Sequence, residues 1–241
     1  MLRPLVAVGL MLSVFGGVLL PSAQADLIID IKPISAVGGA TIDLINNRVI
    51  VESPGAVITL GIYANIIGSD ADTTNDGLTS LFGGILSSAP TVGVRGVIGT
   101  IGNVALHANF TGSGAVVGGP LTNRDGTGDL DWGPALDGTM SGWFAPRATT
   151  APIPMWNAPG STVQQLGTFT YTVTEVNAGG SSTVLSWIRR NFTSGNQNAI
   201  WTEDGVVKQG TAGSPTYRAG LSVELLAGGA GPTPANFVMT Q

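Results

Sequence analysis

The chain has 241 residues, 36 of them glycine, no cysteine, and a formal net charge of −5. An acidic balance disfavours nucleic acid and anionic membranes as partners, and the lack of cysteine excludes thiol catalysis and a disulfide-stapled scaffold. Charged residues make up 10% of the chain, against about a quarter in an ordinary soluble domain, yet 43% is hydrophobic, enough to bury a core.

The chain opens MLRPLVAVGLMLSVFGGVLLPSAQAD. Arg3 supplies a positive start, an apolar run extends from Leu5 to Leu20, and Pro21 breaks it. Ala23 and Ala25 then make the small-x-small pattern that signal peptidase accepts. The reading is a signal peptide over residues 1–25 with Asp26 as the first mature residue. The run is short for a membrane anchor, so no span is expected after cleavage. No cysteine follows it, so lipoprotein processing is not expected.

Residues 26–226 read as one β-domain, an antiparallel sandwich of the jelly-roll or cohesin-like type with one long irregular excursion. DLIIDIKPI is a strand, with Pro33 at its end or at an edge position. Asn46-Asn47 lies between β-rich runs at Thr41–Ile45 and Val49–Val51, a hairpin signal. In AVITLGIYANI both alternating faces are largely apolar, which predicts a central strand. IGSDADTTNDG is a polar loop. LTSLFGGILSS is a short helix or a strand, and its two glycines favour a strand with a bulge. TVGVRGVIG and NVALHANFTG are two further strand candidates. Residues 112–162 are rich in Gly, Pro and Asp and form the excursion, a length that is uncommon unless functional or ion-ordered.

Strands resume at VQQLGTFTYTVTEV. Phe169, Tyr171 and Val173 alternate with Thr168, Thr170, Thr172 and Thr174, one oily face against one of hydroxyls. AGGSS then turns the chain into TVLSWIRRNF as the expected antiparallel partner. AIWTEDGVVKQG is a hairpin on Asp204-Gly205, YRAGLSVELL closes the domain, and residues 227–241 read as a flexible tail. About nine or ten short strands at this spacing indicate a sandwich more readily than a barrel.

The segments ITLGIYANIIGSDADTTNDGLTSLFGGILSS, LGTFTYTVTEV and AIWTEDGVV resemble exported β-sandwich proteins of environmental bacteria, of the PEP-CTERM-associated kind and distantly similar to cohesin domains. The resemblance spans most of residues 27–226. It implies a jelly-roll-like sandwich in a cell-surface or extracellular setting and implies no activity. The chain departs from the pattern at GPTPANFVMTQ, which has no Pro-Glu-Pro, no apolar helix and no basic tail. A dockerin-receptor role is therefore an analogy of fold alone.

The strongest site candidate is NRDGTGDLDWGP. Calcium takes six to eight oxygens, and acidic residues alternating with turn-formers supply them. Asn123, Asp125, Thr127, Asp129 and Asp131 fall on alternate positions, with Gly128 where an EF-type loop turns sharply. Pro134 stands where that loop needs its bidentate glutamate, so a full EF-hand is rejected and a looser structural calcium site remains. The plain alternative is a solvated turn. Asp70, Asp72 and Asp76 pose the same question more weakly, since Asn75 replaces the turn glycine.

Trp132, Trp143 and Trp156 make the excursion a candidate sugar platform, with Asp131 and Asn157 able to bond hydroxyls. The competing reading is that these rings anchor the loop. Catalysis has little support. His107 is the single histidine, too few for zinc catalysis, and no nucleophile elbow accompanies it. A glycosidase pair drawn from Asp129, Asp131, Glu203 and Asp204 is formally open. Arg189-Arg190 reads as an edge feature that blocks sheet stacking. The expectation is a secreted, non-catalytic structural or interaction protein, stabilised by calcium, with a carbohydrate-binding module as the alternative. Its partners are an extracellular polysaccharide or a surface protein.

Overall fold

The computed structural model describes residues 26–67, 72–81, 83–88, 96–106, 131–132, 153–154, 163–177, 181–189, 199–211 and 213–228. These residues are all-β. Their strands are β1 (Asp26–Val37), β2 (Ala40–Asp43), β3 (Arg48–Val51), β4 (Val57–Ile67), β5 (Gly77–Leu81), β6 (Gly83–Ser88), β7 (Val97–Leu106) and β8 (Asp131–Trp132). There follow β9 (Ile153–Pro154), β10 (Val163–Val176), β11 (Ser182–Arg189), β12 (Ala199–Glu203), β13 (Val206–Gly210), β14 (Tyr217–Ala219) and β15 (Val223–Ala227). One 3-10 turn, Thr73–Asn75, precedes β5.

The strands form three sheets. A five-stranded sheet runs β14-β1-β4-β10-β7, a six-stranded one β2-β3-β15-β11-β6-β8, and a four-stranded one β13-β12-β5-β9. Most pairs are antiparallel. β14 beside β1 and β15 beside β3 are parallel, a departure from the purely antiparallel expectation. The inward residues of the sheets pool in a single buried cluster that includes Ile29, Leu60, Phe169, Tyr171, Leu185 and Trp201.

β10 has the expected bounds, and its Phe169, Tyr171 and Val173 are at most 2% exposed. β4 is central, between β1 and β10, as its two apolar faces require. The Asn46-Asn47 and Asp204-Gly205 hairpins form. Asn47 and Asp204 both sit at a φ of 49°, a conformation that Asn and Asp tolerate better than most residues. Pro33 lies inside β1, at a register shift and beyond the stretch that β14 covers, so no partner needs its missing N–H.

Several pairings differ from expectation. β11 is not the hairpin partner of β10. Both edges of β10 are taken by β4 and β7, so the chain crosses into the six-stranded sheet, where β11 joins β15 and β6. Thr183 ties that crossing down: its hydroxyl lies 2.8 Å from the Val97 carbonyl, which also accepts from Tyr171 Oη at 3.2 Å. LTSLFGGILSS is extended but divides between two sheets as β5 and β6. The two candidates on either side of residue 100 contribute to one strand, β7. YRAGLSVELL holds two strands in different sheets, and the last of them runs to Ala227, one residue past the expected domain end. Within the excursion, β8 and β9 are short edge strands.

Gly83 shows how tightly the inner layer is packed. A Cβ there would collide with the Trp187 indole and lie 2.7 Å from the Ile188 carbonyl oxygen. Trp187 Nε1 donates to Tyr217 Oη at 2.9 Å. Complete burial raises the Tyr217 phenol far above its ordinary pKa, opposed in part by Trp187 and by Arg189. Arg189 lies at the end of β11, paired only on the β6 side, opposite Gly83, since the β15 pairing ends at Leu185. It packs 5.8 Å from the Tyr217 ring centroid and donates to the carbonyls of Ser214 and Tyr217, fastening the approach to β14.

Candidate functional site

Asn123, Asp125, Thr127 and Asp129, the expected calcium donors, lie outside the described residues, as do Asp70, His107, Trp143, Trp156, Asn157 and Arg190. Asp131 and Trp132 form β8, where they pair with Leu86 and Ile85 at the edge of the six-stranded sheet. The last position of the proposed calcium loop therefore belongs to a ladder.

Asp72 and Asp76 have specific structural tasks. Asp72 caps the 3-10 turn, accepting from Thr74 N at 3.0 Å and Thr74 Oγ1 at 2.6 Å. These bonds favour the charged form and lower its pKa. Asp76 is buried and accepts the Asp204 backbone N–H at 2.9 Å, joining the polar loop to the β12–β13 hairpin. Sequence alone kept those two segments apart. Glu203 stands beside them, 3% exposed, with Oε2 buried and unpaired. Burial raises its pKa most, and Asp204 and Asp76 add to the rise, while Lys208 and Trp201 oppose it. Among the described residues, no group of three or more acidic or imidazole side chains is placed to hold a metal ion.

A different surface emerges from strand register. Residues opposite one another in a sheet share a face, so the pairings of the five-stranded sheet define rows across its outer side. One row is Ser35, Thr59, Thr170 and Gly102. The next is Lys32, Gly61, Thr168 and Ala105, and the one after it begins Asp30, Tyr63 and Gln165. On the other flank, Val57, Thr172 and Thr100 line up. The residues of β4 and β10 on these rows are half-buried, with the exception of Gly61, which is buried.

The Ser35 and Lys32 rows are built mainly of glycine, alanine, serine and threonine. Tyr63 and Ile34 cover Gly61: a Cβ there would lie 2.6 Å from Tyr63 Cε2, 2.8 Å from its Oη and 2.9 Å from Ile34 Cδ1, so both side chains rest on the glycine backbone. Lys32 Nζ sits 5.5 Å from the ring centroid and 3.3 Å from Asp30 Oδ2. That ion pair is balanced, and the rows from Asp30 to Thr172 hold no other charge. Partial burial raises the Tyr63 pKa, keeping the phenol neutral as a donor. Thr170 accepts from Asn103 Nδ2 at 3.3 Å, and Thr174 donates to the Ile98 carbonyl at 3.2 Å.

The threonine alternation on β10 was the one sequence signal for this surface. Thr59, Gly61 and Tyr63 carried none, because β4 looks apolar on both sides. No helix among the described residues is long and apolar enough to cross a membrane. No protein-family model matches the chain, and no curated protein matches it.

Proposed function

We propose that the protein is an exported, non-catalytic domain that works at the cell surface or in the extracellular matrix by presenting one sheet face to a partner. The outer side of the five-stranded sheet, lined by half-buried neutral side chains apart from the Asp30–Lys32 pair, supports this reading. The five- and six-stranded sheets are read as the two layers of a jelly-roll-like sandwich. Residues 1–25 are read as a cleaved signal peptide, from the positive start, the apolar run Leu5–Leu20 and the Ala23-x-Ala25 pattern. The test is the mature N-terminus and location of the protein in an exporting bacterial host. The expected form starts at Asp26 and is found in the envelope, matrix or medium. A cytoplasmic form that retains residues 1–25 would overturn the reading.

Calcium belongs to the same proposal as a stiffener. Asn123, Asp125, Thr127, Asp129 and Asp131 would hold it, and the pairing of Asp131 in β8 supports a link between that loop and the sheet edge. An ion that binds only the folded state stabilises it by mass action. Excess chelator should therefore lower the melting temperature; an unchanged melt leaves the loop as a turn.

A further inference from the structure

We propose that Glu203 is a proton-controlled latch for the β12–β13 hairpin. With its carboxyl protonated, the Asp204-Gly205 turn stays fastened to Asn75 and Asp76; with the carboxyl ionised, the turn lets go.

The fastening consists of two consecutive backbone donors. Asp204 and Gly205 are the central residues of a two-residue turn, at φ of 49° and 73°. Both of their N–H groups point away from the hairpin. Asp204 N donates to Asp76 Oδ1 at 2.9 Å, and Gly205 N donates to the Asn75 carbonyl at 3.3 Å. The second bond is long, so the tip is lightly held. Burial adds little. Val206 and Val207 of β13 are 54% and 57% exposed. An element with few buried apolar contacts opens locally well before the domain unfolds. β12 is different, because β5 pairs with its other side and Trp201 is fully buried. The movable part is therefore the turn with β13, and the strand that carries Glu203 stays in place.

Glu203 stands where the movable part meets the fixed one. It ends β12 opposite Val206, and it is buried with Oε2 left without a hydrogen-bond partner. A neutral carboxyl tolerates that position, whereas an ionised one needs water or a counter-charge. Among the described residues, the charged groups acting on it are Asp204 from the turn, Lys208 from β13 and Asp76 from the segment before β5. Burial resists ionisation most, and Asp204 and Asp76 add to that resistance; Lys208 and the Trp201 indole offset it only in part. An ionised Glu203 is thus repelled by two residues of the fastening itself. Swinging the tip away separates the three carboxylates and admits water to Glu203. The closed hairpin holds the proton and the open one releases it, so a rise in pH opens the hairpin.

The experiment is amide hydrogen exchange, followed by NMR, on the full mature chain. Protection factors already correct for the pH dependence of the exchange chemistry. Those of the Asp204 and Gly205 amides should fall about tenfold or more between about pH 5 and pH 8, while the Leu60 and Phe169 amides of the five-stranded sheet keep theirs. Glu203→Gln cannot ionise and should keep both turn amides protected throughout. Lys208→Met removes the offsetting cation and should move the opening midpoint to higher pH, a shift that a packing role for Glu203 does not produce. The proposal is overturned if turn protection is the same at both pH values, or if Leu60 and Phe169 lose protection in step with the turn. It also fails if Glu203→Gln opens as the unaltered protein does, which would place the titration on Asp76 or Asp204. Should Glu203→Gln not fold, Lys208→Met decides: an unmoved midpoint removes Glu203 from control of the hairpin.

Discussion

The two sides of β10 are separated by one strand's thickness and obey different rules. Inward, Phe169, Tyr171 and Val173 are buried among residues from neighbouring sheets. Outward, Thr168, Thr170 and Thr172 are half-buried. The inner side tolerates almost no change of volume, because protein interiors are close-packed. The outer side is partly exposed, and substitutions there are expected to change stability little.

The contrast can be broken or sharpened by substitution. Phe169→Ala should have the largest effect, a loss of about 3–5 kcal/mol from lost burial and the cavity left behind. Urea unfolding measures it; a loss below about 1 kcal/mol would mean the inner layer is loosely packed. Gly83→Ala comes next, costing about 1–3 kcal/mol as the Trp187 indole and the Ile188 carbonyl are forced aside. A neutral result there would place the two strands further apart than described. Tyr217→Phe removes the Oη to which the Trp187 N–H donates and should cost about 1–3 kcal/mol, read as a lower melting temperature. Smallest of all, Thr172→Val on the outer side should shift stability by no more than about 0.5 kcal/mol. An effect as large as that of Gly83→Ala would show that the face is covered in solution.

A pH experiment separates a third environment from these two. The pKa of Glu203 is raised in the folded state, so the folded protein holds that proton more tightly than the unfolded chain does. Stability linked to this group is complete below the unfolded value of about 4.3 and is lost as pH rises through the folded value. Glu203→Gln, which is neutral at every pH, should therefore raise the melting temperature at pH 7. The gain should shrink towards pH 4. A gain of equal size at both pH values would assign the effect to packing rather than charge.

Local patterns in the sequence carried much of the fold. The Phe-Tyr-Val alternation set the extent and buried side of β10, and Asp204-Gly205 and Asn46-Asn47 marked two hairpins through a backbone conformation those residues accept. The candidate site was legible only as the threonine half of one strand. Its other half needed the register of β1, β4, β10 and β7, and Gly61 acquires meaning only once Tyr63 is seen to rest on it.

What the sequence determined by itself was an all-β chain, with a strand of two opposite faces and turns where Asn, Asp and Gly relieve the backbone. Tertiary structure alone decided that β11 leaves β10 for another sheet, that β5 and β6 part company, and that β14 and β15 join their neighbours in parallel. The reason is that side-chain alternation is a property of one strand, whereas pairing is a competition among all strands for a limited number of free edges. Once β4 and β7 occupy both sides of β10, the next segment has to pair elsewhere, and no local residue pattern records that outcome.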